Sequence, residues 1–256
     1  AAVQMAEATQ DAAPEVRSRY NLGVNGNPVY GEVFRRPATA CGASLQAARH
    51  LLRCGGLVYS PAGGTHHGQP GRASGYCIFN DPVLAILELL DQGLDRVAYV
   101  DWDAHFGDGV QQAFHHEARV RTISIHEAGR WPMARDGDAA GFGGLDDRGG
   151  GFARNLPVPA GLSDDEFAWL IDEAVAPLLR RFAPQAVVVQ SGCDALADDP
   201  MTRLALSNRA LWRALATIMP LALPLLVLGG GGYNPWAVGR CWAGIWATMN
   251  GFAVPE

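Results

Sequence analysis

Apolar residues in this chain come in short unbroken blocks of strand length, separated by stretches with helical spacing. Leu57 to Ser60, Arg96 to Val100, Arg121 to Ile125, Ala186 to Gln190 and Leu225 to Leu228 are rich in Val, Leu and Ile and show no polar alternation. Strands apolar on both faces are covered on both faces, which is the condition of a parallel sheet under helices. Helices are predicted between them. Ala40 to Arg53 has Leu45, Ala48, His50 and Leu51 toward one side. A second helix opens on Asp81-Pro82, a cap followed by proline, and runs to about Gln92. Val110 to His116 makes a short helix, and Ser163-Asp164-Asp165-Glu166 is a capping box opening one to Phe182. Asn208 to Met219 and Pro235 to Met249 follow, the last with Trp236, Trp242 and Trp246 at helical spacing and read as core. Residues 127–154 form a long Gly/Asp-rich loop, a length usually reserved for function. The expectation is an α/β fold: one domain over 1–256, a parallel sheet with helices on both faces, and the active site at the C-terminal ends of the strands.

Those ends carry the polar residues. After the first strand comes Gly63-Gly64-Thr65-His66-His67-Gly68, and after the second Asp101, Asp103, His105 and Asp108. His126 follows the third, Ser191-Gly192-Cys193-Asp194 the fourth, and four glycines with Tyr233 the fifth. Alternate residues of a strand share a face, so Asp101, Asp103 and His105 lie together if the strand continues that far. Clustered charge at a buried strand end is costly unless it meets a cation or its own partners. Each group has a plainer reading: a surface His-His pair, a helix cap at Asp194, a turn tyrosine. Core packing does not explain all of them on one edge. His50, His115 and His116 lie in or beside helices and read as structural or exposed.

The set describes a metal hydrolase. Asp103, His105 and Asp194 would hold one Zn²⁺, with Fe²⁺ the alternative, leaving a position for water. The metal would polarise a carbonyl and acidify that water. His66 and His67 would serve as general base and acid, with His67 the one that stays basic enough to protonate the leaving amine. Asp101 and Asp108 would orient their imidazoles, and Tyr233 would donate to the developing oxyanion.

Composition removes other classes. A net charge of −6 leaves no basic footprint for nucleic acid. The most apolar stretch, Leu215 to Leu228, is interrupted by Pro220 and Pro224 and is too short to span a membrane. The first twenty residues lack the basic-then-apolar design of a signal peptide. Five cysteines (41, 54, 77, 193, 241), odd in number and never spaced CxxC, argue against a disulfide framework or a cysteine zinc site and fit a cytoplasmic location.

The motifs GGTHHG (63–68), RASGYCIFND (72–81), YVDWDAHFGDG (99–109), TISIHE (122–127), QSGCDALADDPM (190–201) and LGGGGYNP (228–235), in this order, resemble the histone deacetylase superfamily. NLPVPAGLSDDEF, LALSNRALWRAL and NPWAVGRCWAGIWATMNG are most similar to the bacterial acetoin-utilisation deacetylases. The resemblance implies the same ligands and histidine pair. It implies a narrow tunnel for an acetyl-lysine-like or acetylpolyamine-like chain, walled by Gly75, Tyr76, Trp131, Met201 and Gly231. It also implies a structural K⁺ site using Asp101, Asp103, His105, Ser124 and the carbonyl of Ile125. Family members usually begin with a further strand and helices, and this chain starts after them. The rim position that is often Asp falls near Asn25 or Asn27, which implies weak dependence on peptide context. Phe106 stands where a second histidine is common.

Two other classes fit parts of the pattern. A ureohydrolase with two Mn²⁺ ions would need a second Asp-x-Asp, and Asp194 stands alone in GCDAL. A non-catalytic acetyl-group binder would have lost a ligand, a histidine or the tyrosine, and all are present. The sequence does not set the oligomeric state.

Overall fold

The computed structural model describes residues 1–24, 26–133, 141–221 and 224–254. Helices α1 (Ala2–Thr9), α2 (Pro14–Tyr20) and α3 (Arg35–Cys54) lead into β1 (Leu57–Ser60). Then come α4 (Asp81–Asp91), β2 (Val97–Asp101), α5 (Asp108–Ala113), β3 (Val120–Glu127) and β4 (Ala153–Val158). Helix α6 (Asp164–Leu170) continues through a π-turn (Ile171–Val175) into α7 (Ala176–Phe182). The chain ends with β5 (Ala186–Gln190), α8 (Asn208–Ile218), β6 (Leu225–Leu228) and α9 (Pro235–Met249). All six strands are parallel, in the order β1-β6-β5-β2-β3-β4.

The sheet shows why its strands lack alternation. On β2, Val97 and Tyr99 enter the layer beneath α3, α4 and α5, while Ala98 and Val100 enter the layer beneath α6, α7, α8 and α9. On β5 and β6 the split repeats, with Val188 and Leu226 on one side and Val189 and Val227 on the other. Each such buried side chain contributes roughly 1.5–3 kcal/mol, so the middle of the sheet is held by packing on both faces. Neighbouring strands in this order bring the turns after β1, β6, β5 and β2 side by side. Among the described residues, no helix is long and apolar enough to cross a membrane.

The structure departs from the pattern reading in several places, first in α1 and α2, which precede the first helix that the pattern placed. β4 lies partly inside the stretch read as loop. It carries Arg154, Asn155 and Pro157, and a strand at the sheet edge tolerates proline and polar residues that a central strand would not. Helix α3 begins at Arg35 and turns Cys41, Ser44, Ala47, Ala48 and Leu51 inward, leaving His50 exposed. The cap of α4 is Asn80, whose side chain accepts from Val83 N–H, and not Asp81. In α9 the tryptophans are not the core: Trp236 is 80% exposed and Trp246 53%, while Trp242 packs at the margin. The buried face is the small set Ala237, Cys241, Gly244 and Ile245, because α8 approaches closely through Trp212. The capping box at Ser163 and Glu166 forms as read.

Candidate metal centre and active site

Adjacency of β2 and β5 brings Asp103 and His105 to Asp194. Ligand atoms of these three buried residues all lie within 4.8 Å of one another. His105 Nδ1 is 2.8 Å from Asp194 Oδ2 and 3.3 Å from Asp103 Oδ1. The carboxylates are held from behind by main chain. Gly231 N–H donates to Asp103 Oδ2 at 2.7 Å, and Ala104 N–H to Asp194 Oδ1 at 2.9 Å.

Two buried carboxylates thus share one imidazole. Burial raises the Asp194 carboxyl to about 7, and the charge of Asp103 adds to the rise. Burial works against the His105 imidazolium, but its bonds to Asp103 and Asp194 lift it to about 10. Burial also opposes the Asp103 anion, yet His66 and His105 hold its carboxyl well below the usual range. Such a surplus of buried negative charge fits a divalent cation, and two oxygens with one imidazole nitrogen suit zinc. The cradle is shaped by glycine. A Cβ on Gly192 would stand 2.2 Å from Asp103 Oδ2, and one on Gly231 2.3 Å from Asp194 Oδ2. The residues present therefore fit a metal ion.

Beside this cluster stand the two histidines. His66 Nδ1 is 2.8 Å from Asp101 Oδ2, and His67 Nδ1 is 2.7 Å from Asp108 Oδ1. A neutral or charged imidazole that donates through Nδ1 to a carboxylate turns Nε2 outward. Here the two Nε2 atoms face each other at 3.0 Å, a separation that calls for one proton between them. Burial depresses the His66 imidazolium, but Asp101 and Asp103 outweigh it and lift the group to about 9. Burial and the positive charge of His66 push His67 down to about 4, against the pull of Asp108. The pair titrates as a unit that holds one proton across the neutral range. His67 is thus pushed down, where the sequence reading expected it to stay basic enough to serve the leaving amine. Asp103 lies within 3.7 Å of His66 Nε2 and favours charge there.

Tyr233 follows four glycines that leave β6, two of them (Gly230 and Gly232) at positive φ. It is 51% exposed. Burial of the phenol raises its pKa, and Asp103 and Asp194 raise it further, so the hydroxyl stays a proton donor within the field of both carboxylates. Among the tunnel residues, Trp131 packs against His67 (ring centroids 4.6 Å) and near His105 (6.4 Å). Gly75 fits under Trp131: at φ 53° a Cβ would meet the indole at 2.3 Å. Tyr76 is 70% exposed beside it, and Met201 is half-exposed.

Other polar residues near the strand ends are held by partners of their own. His126 is fully buried, with Nδ1 2.8 Å from Ser124 Oγ and Nε2 2.9 Å from Gly143 O, and takes no place beside the histidine pair. Asn27 is not a rim residue. It is buried, and its Oδ1 accepts the Tyr76 N–H at 3.1 Å, so it holds the main chain at Tyr76 from within. Asn25 lies outside the described residues. Of the residues expected at potassium, Asp101 and Ser124 are paired across β2 and β3. Asp101 spends both carboxylate oxygens on protein donors: Asp103 N–H at 3.0 Å, Tyr99 O–H at 2.8 Å, and His66.

Three contributors were missed. Tyr99, two positions before Asp101, was available from strand alternation. Gln69 donates to Asp108 Oδ2 at 2.9 Å. Asp199 accepts the Tyr233 N–H at 2.7 Å and the Met201 N–H at 2.8 Å, and so joins the main chain at Tyr233 to that at Met201. Nothing local in sequence marks these last two, since Asp108 and Tyr233 lie over thirty residues from them and their near partners, the His67 carbonyl and the Met201 N–H, are main-chain groups.

Comparison with known proteins agrees with this geometry. The histone deacetylase domain model matches residues 2–249. The chain is 38% identical to putative histone deacetylase 2 of Caenorhabditis elegans across 90% of its own length and 44% of that relative's. It is 38% identical to histone deacetylase 8 of Danio rerio, across 88% of this chain and 59% of the other. The acetoin utilization protein AcuC of Bacillus subtilis is 35% identical across 98% of this chain and 66% of its own. A crystal structure of an HDAC homolog complexed with SAHA superposes on the whole chain, and on 68% of its own, with a TM-score of 0.91 at 33% identity. An HDAC homolog from Aquifex aeolicus gives 0.89 at 32% identity, again over the whole chain and 68% of its own. The chain thus spans about half the length of the first two relatives.

Proposed function

Because this chain belongs to the histone deacetylase family, we propose that it is a zinc-dependent amidohydrolase that removes acetyl groups from lysine-like or polyamine-like amines. The observation that carries the reading is one juxtaposition: Asp103, His105 and Asp194 gathered within 4.8 Å, beside two imidazoles whose Nε2 atoms meet at 3.0 Å. Zn²⁺ held by the three ligands would supply Lewis acidity, polarising an amide carbonyl and lowering the pKa of water.

The chain's own residues do the rest. Asp101 and Asp108 fix the tautomers of His66 and His67 by holding their Nδ1 protons. The two Nε2 atoms then accept a proton from attacking water and return one to the departing amine. Without metal His66 is the more basic of the two, raised by Asp101 and Asp103 against its burial. Tyr233, a donor whose phenol resists ionisation, stabilises negative charge on the carbonyl oxygen. Gly75, Tyr76, Trp131, Met201 and Gly231 would line the path of the acyl chain. A potassium ion at the ends of β2 and β3 would draw on Asp101, Asp103, His105, Ser124 and the Ile125 carbonyl; Oδ1 of Asp101 accepts one protein donor and keeps a lone pair.

Tyr233→Phe tests the oxyanion role. Removing one such donor costs about 10²–10³ in rate. The variant should fold, hold metal and keep its KM while kcat falls by that factor. Wild-type turnover by the Phe variant would exclude Tyr233 from the reaction. A second expectation concerns shape. Trp131 packed on Gly75 leaves room for a thin chain, so acetyl-lysine and acetylpolyamines should turn over and amides with bulky acyl groups should not. Linear hydroxamates, which chelate zinc through two oxygens, should inhibit competitively. Equal turnover of acetyl and bulky aromatic amides would contradict the tunnel.

A further inference from the structure

Asn80 and Asp81 have no part in the site as described so far, yet they grip the chain on both sides of the histidine pair. Asp81 is fully buried. Its Oδ1 accepts from Gly64 N–H at 2.9 Å, Thr65 N–H at 2.8 Å and Thr65 Oγ1 at 2.6 Å. Its Oδ2 accepts from Ser44 Oγ on α3 at 2.6 Å and shares the Gly64 N–H at 3.1 Å. Asn80 works on the other side. Its Nδ2 donates to the carbonyls of His66 at 3.0 Å and Gly68 at 2.9 Å, while its Oδ1 accepts the Val83 N–H that caps α4.

The capping bond alone does not explain this pair. The Asn80 amide already caps α4, so the helix does not need the Asp81 carboxylate as a cap. A buried anion is costly unless its oxygens are well bonded, and every partner of Asp81 outside α3 belongs to Gly64 or Thr65. Gly109 packs on the same two carbonyls: a Cβ there would stand 2.5 Å from Gly68 O and 2.6 Å from His66 O. Little space is left for water to replace Asn80. The clamp is rigid because α4 is anchored beneath the sheet by Ala85, Ile86 and Leu89, all fully buried.

We propose that Asn80 and Asp81 are positioning residues for the acid–base pair. They fix the main chain before and after His66-His67, so that the imidazoles meet each other and face the metal ligands. The proposal rests on the acid–base reading of that pair.

Asn80→Ser separates capping from positioning. Serine caps a helix about as well as asparagine, but it has no amide protons for His66 O and Gly68 O. In the zinc-loaded protein, kcat on an acetyl-lysine peptide should fall roughly 10²-fold, as expected for a small misplacement of reacting groups. KM and zinc content should stay close to wild type, while Tm falls by a few degrees because two buried carbonyls lose their donor. The downfield proton resonances of His66 and His67 Nδ1–H, bonded to Asp101 and Asp108, should shift. Those resonances need no substrate. If the wild-type protein proves inactive and they still move in Asn80→Ser, the deacetylase reading fails and the clamp stands. Asp81→Asn can still accept from Gly64 and Thr65 and donate to Ser44, so it should keep most of the wild-type kcat, whereas Asp81→Ala should fall as far as Asn80→Ser. Asn80→Ser with wild-type kcat and unmoved imidazole resonances would overturn the proposal, even if Tm dropped. Asp81→Asn as impaired as Asp81→Ala would remove Asp81 from it.

Discussion

Asp194→Asn is expected to fold and to lose both metal and activity. The amide keeps the shape of the side chain and can still accept the Ala104 N–H at Oδ1. It removes one of two buried carboxylates that share a single imidazole, and with it the charge that burial and Asp103 already oppose. The zinc-free variant should therefore melt no lower than the zinc-free wild type. A cation that binds only the native state raises Tm by mass action. Added zinc should raise the Tm of the wild type and leave that of Asp194→Asn unmoved. Turnover should fall further than the ~10²–10³ expected on loss of one oxyanion donor, because ligand and Lewis acid go together. Differential scanning calorimetry with and without zinc, beside metal analysis, checks this. A variant that keeps one equivalent of metal and its zinc-induced stabilisation would remove Asp194 from the ligand set.

His66→Ala and His67→Ala should each slow the reaction by about 10²–10⁴, the usual worth of general acid–base catalysis. Stability should suffer less than rate. With His66 gone, Asp101 retains the Tyr99 hydroxyl and the Asp103 N–H; with His67 gone, Asp108 retains Gln69. The double variant should be little worse than the more damaging single one, because groups that share one proton act as a unit. Steady-state kinetics on zinc-loaded protein reads this directly. Near-normal turnover in both single variants would defeat the acid–base assignment. Separate factors that multiply in the double variant would defeat the shared proton.

Much of the site could be read from strand ends. Asp101, Asp103 and His105 follow one another at alternate positions off β2, and a central strand buried on both faces admits few other readings. Asp194 and Tyr233 could be placed because their strands, β5 and β6, are equally apolar and end as abruptly. Legibility failed where a contact spans the chain or where packing overrides pattern. β4 escaped notice because Pro157 and Arg154 are tolerated only at an edge, and sequence does not say which strand is the edge. The α9 tryptophans have helical spacing, yet small residues take the inner face because α8 sits so close. Asn27 and Asp81 are polar residues in loops or at a helix start, and only the fold shows that Asn27 supports Tyr76 and that Asp81 faces Gly64 and Thr65. The order of basicity in the histidine pair depends on burial and on how Asp101 and Asp103 lie around His66, which no spacing encodes.

A single-metal deacetylase releases acetate in proportion to the zinc it holds, and a zinc titration of the metal-stripped protein measures this. With an acetylated lysine or polyamine as substrate, activity should rise in proportion to bound zinc, break at one equivalent, and stay absent in Asp194→Asn at any loading. A break at two equivalents, dependence on manganese instead, or tight zinc binding with no acetate released from any acetylated amine would contradict it.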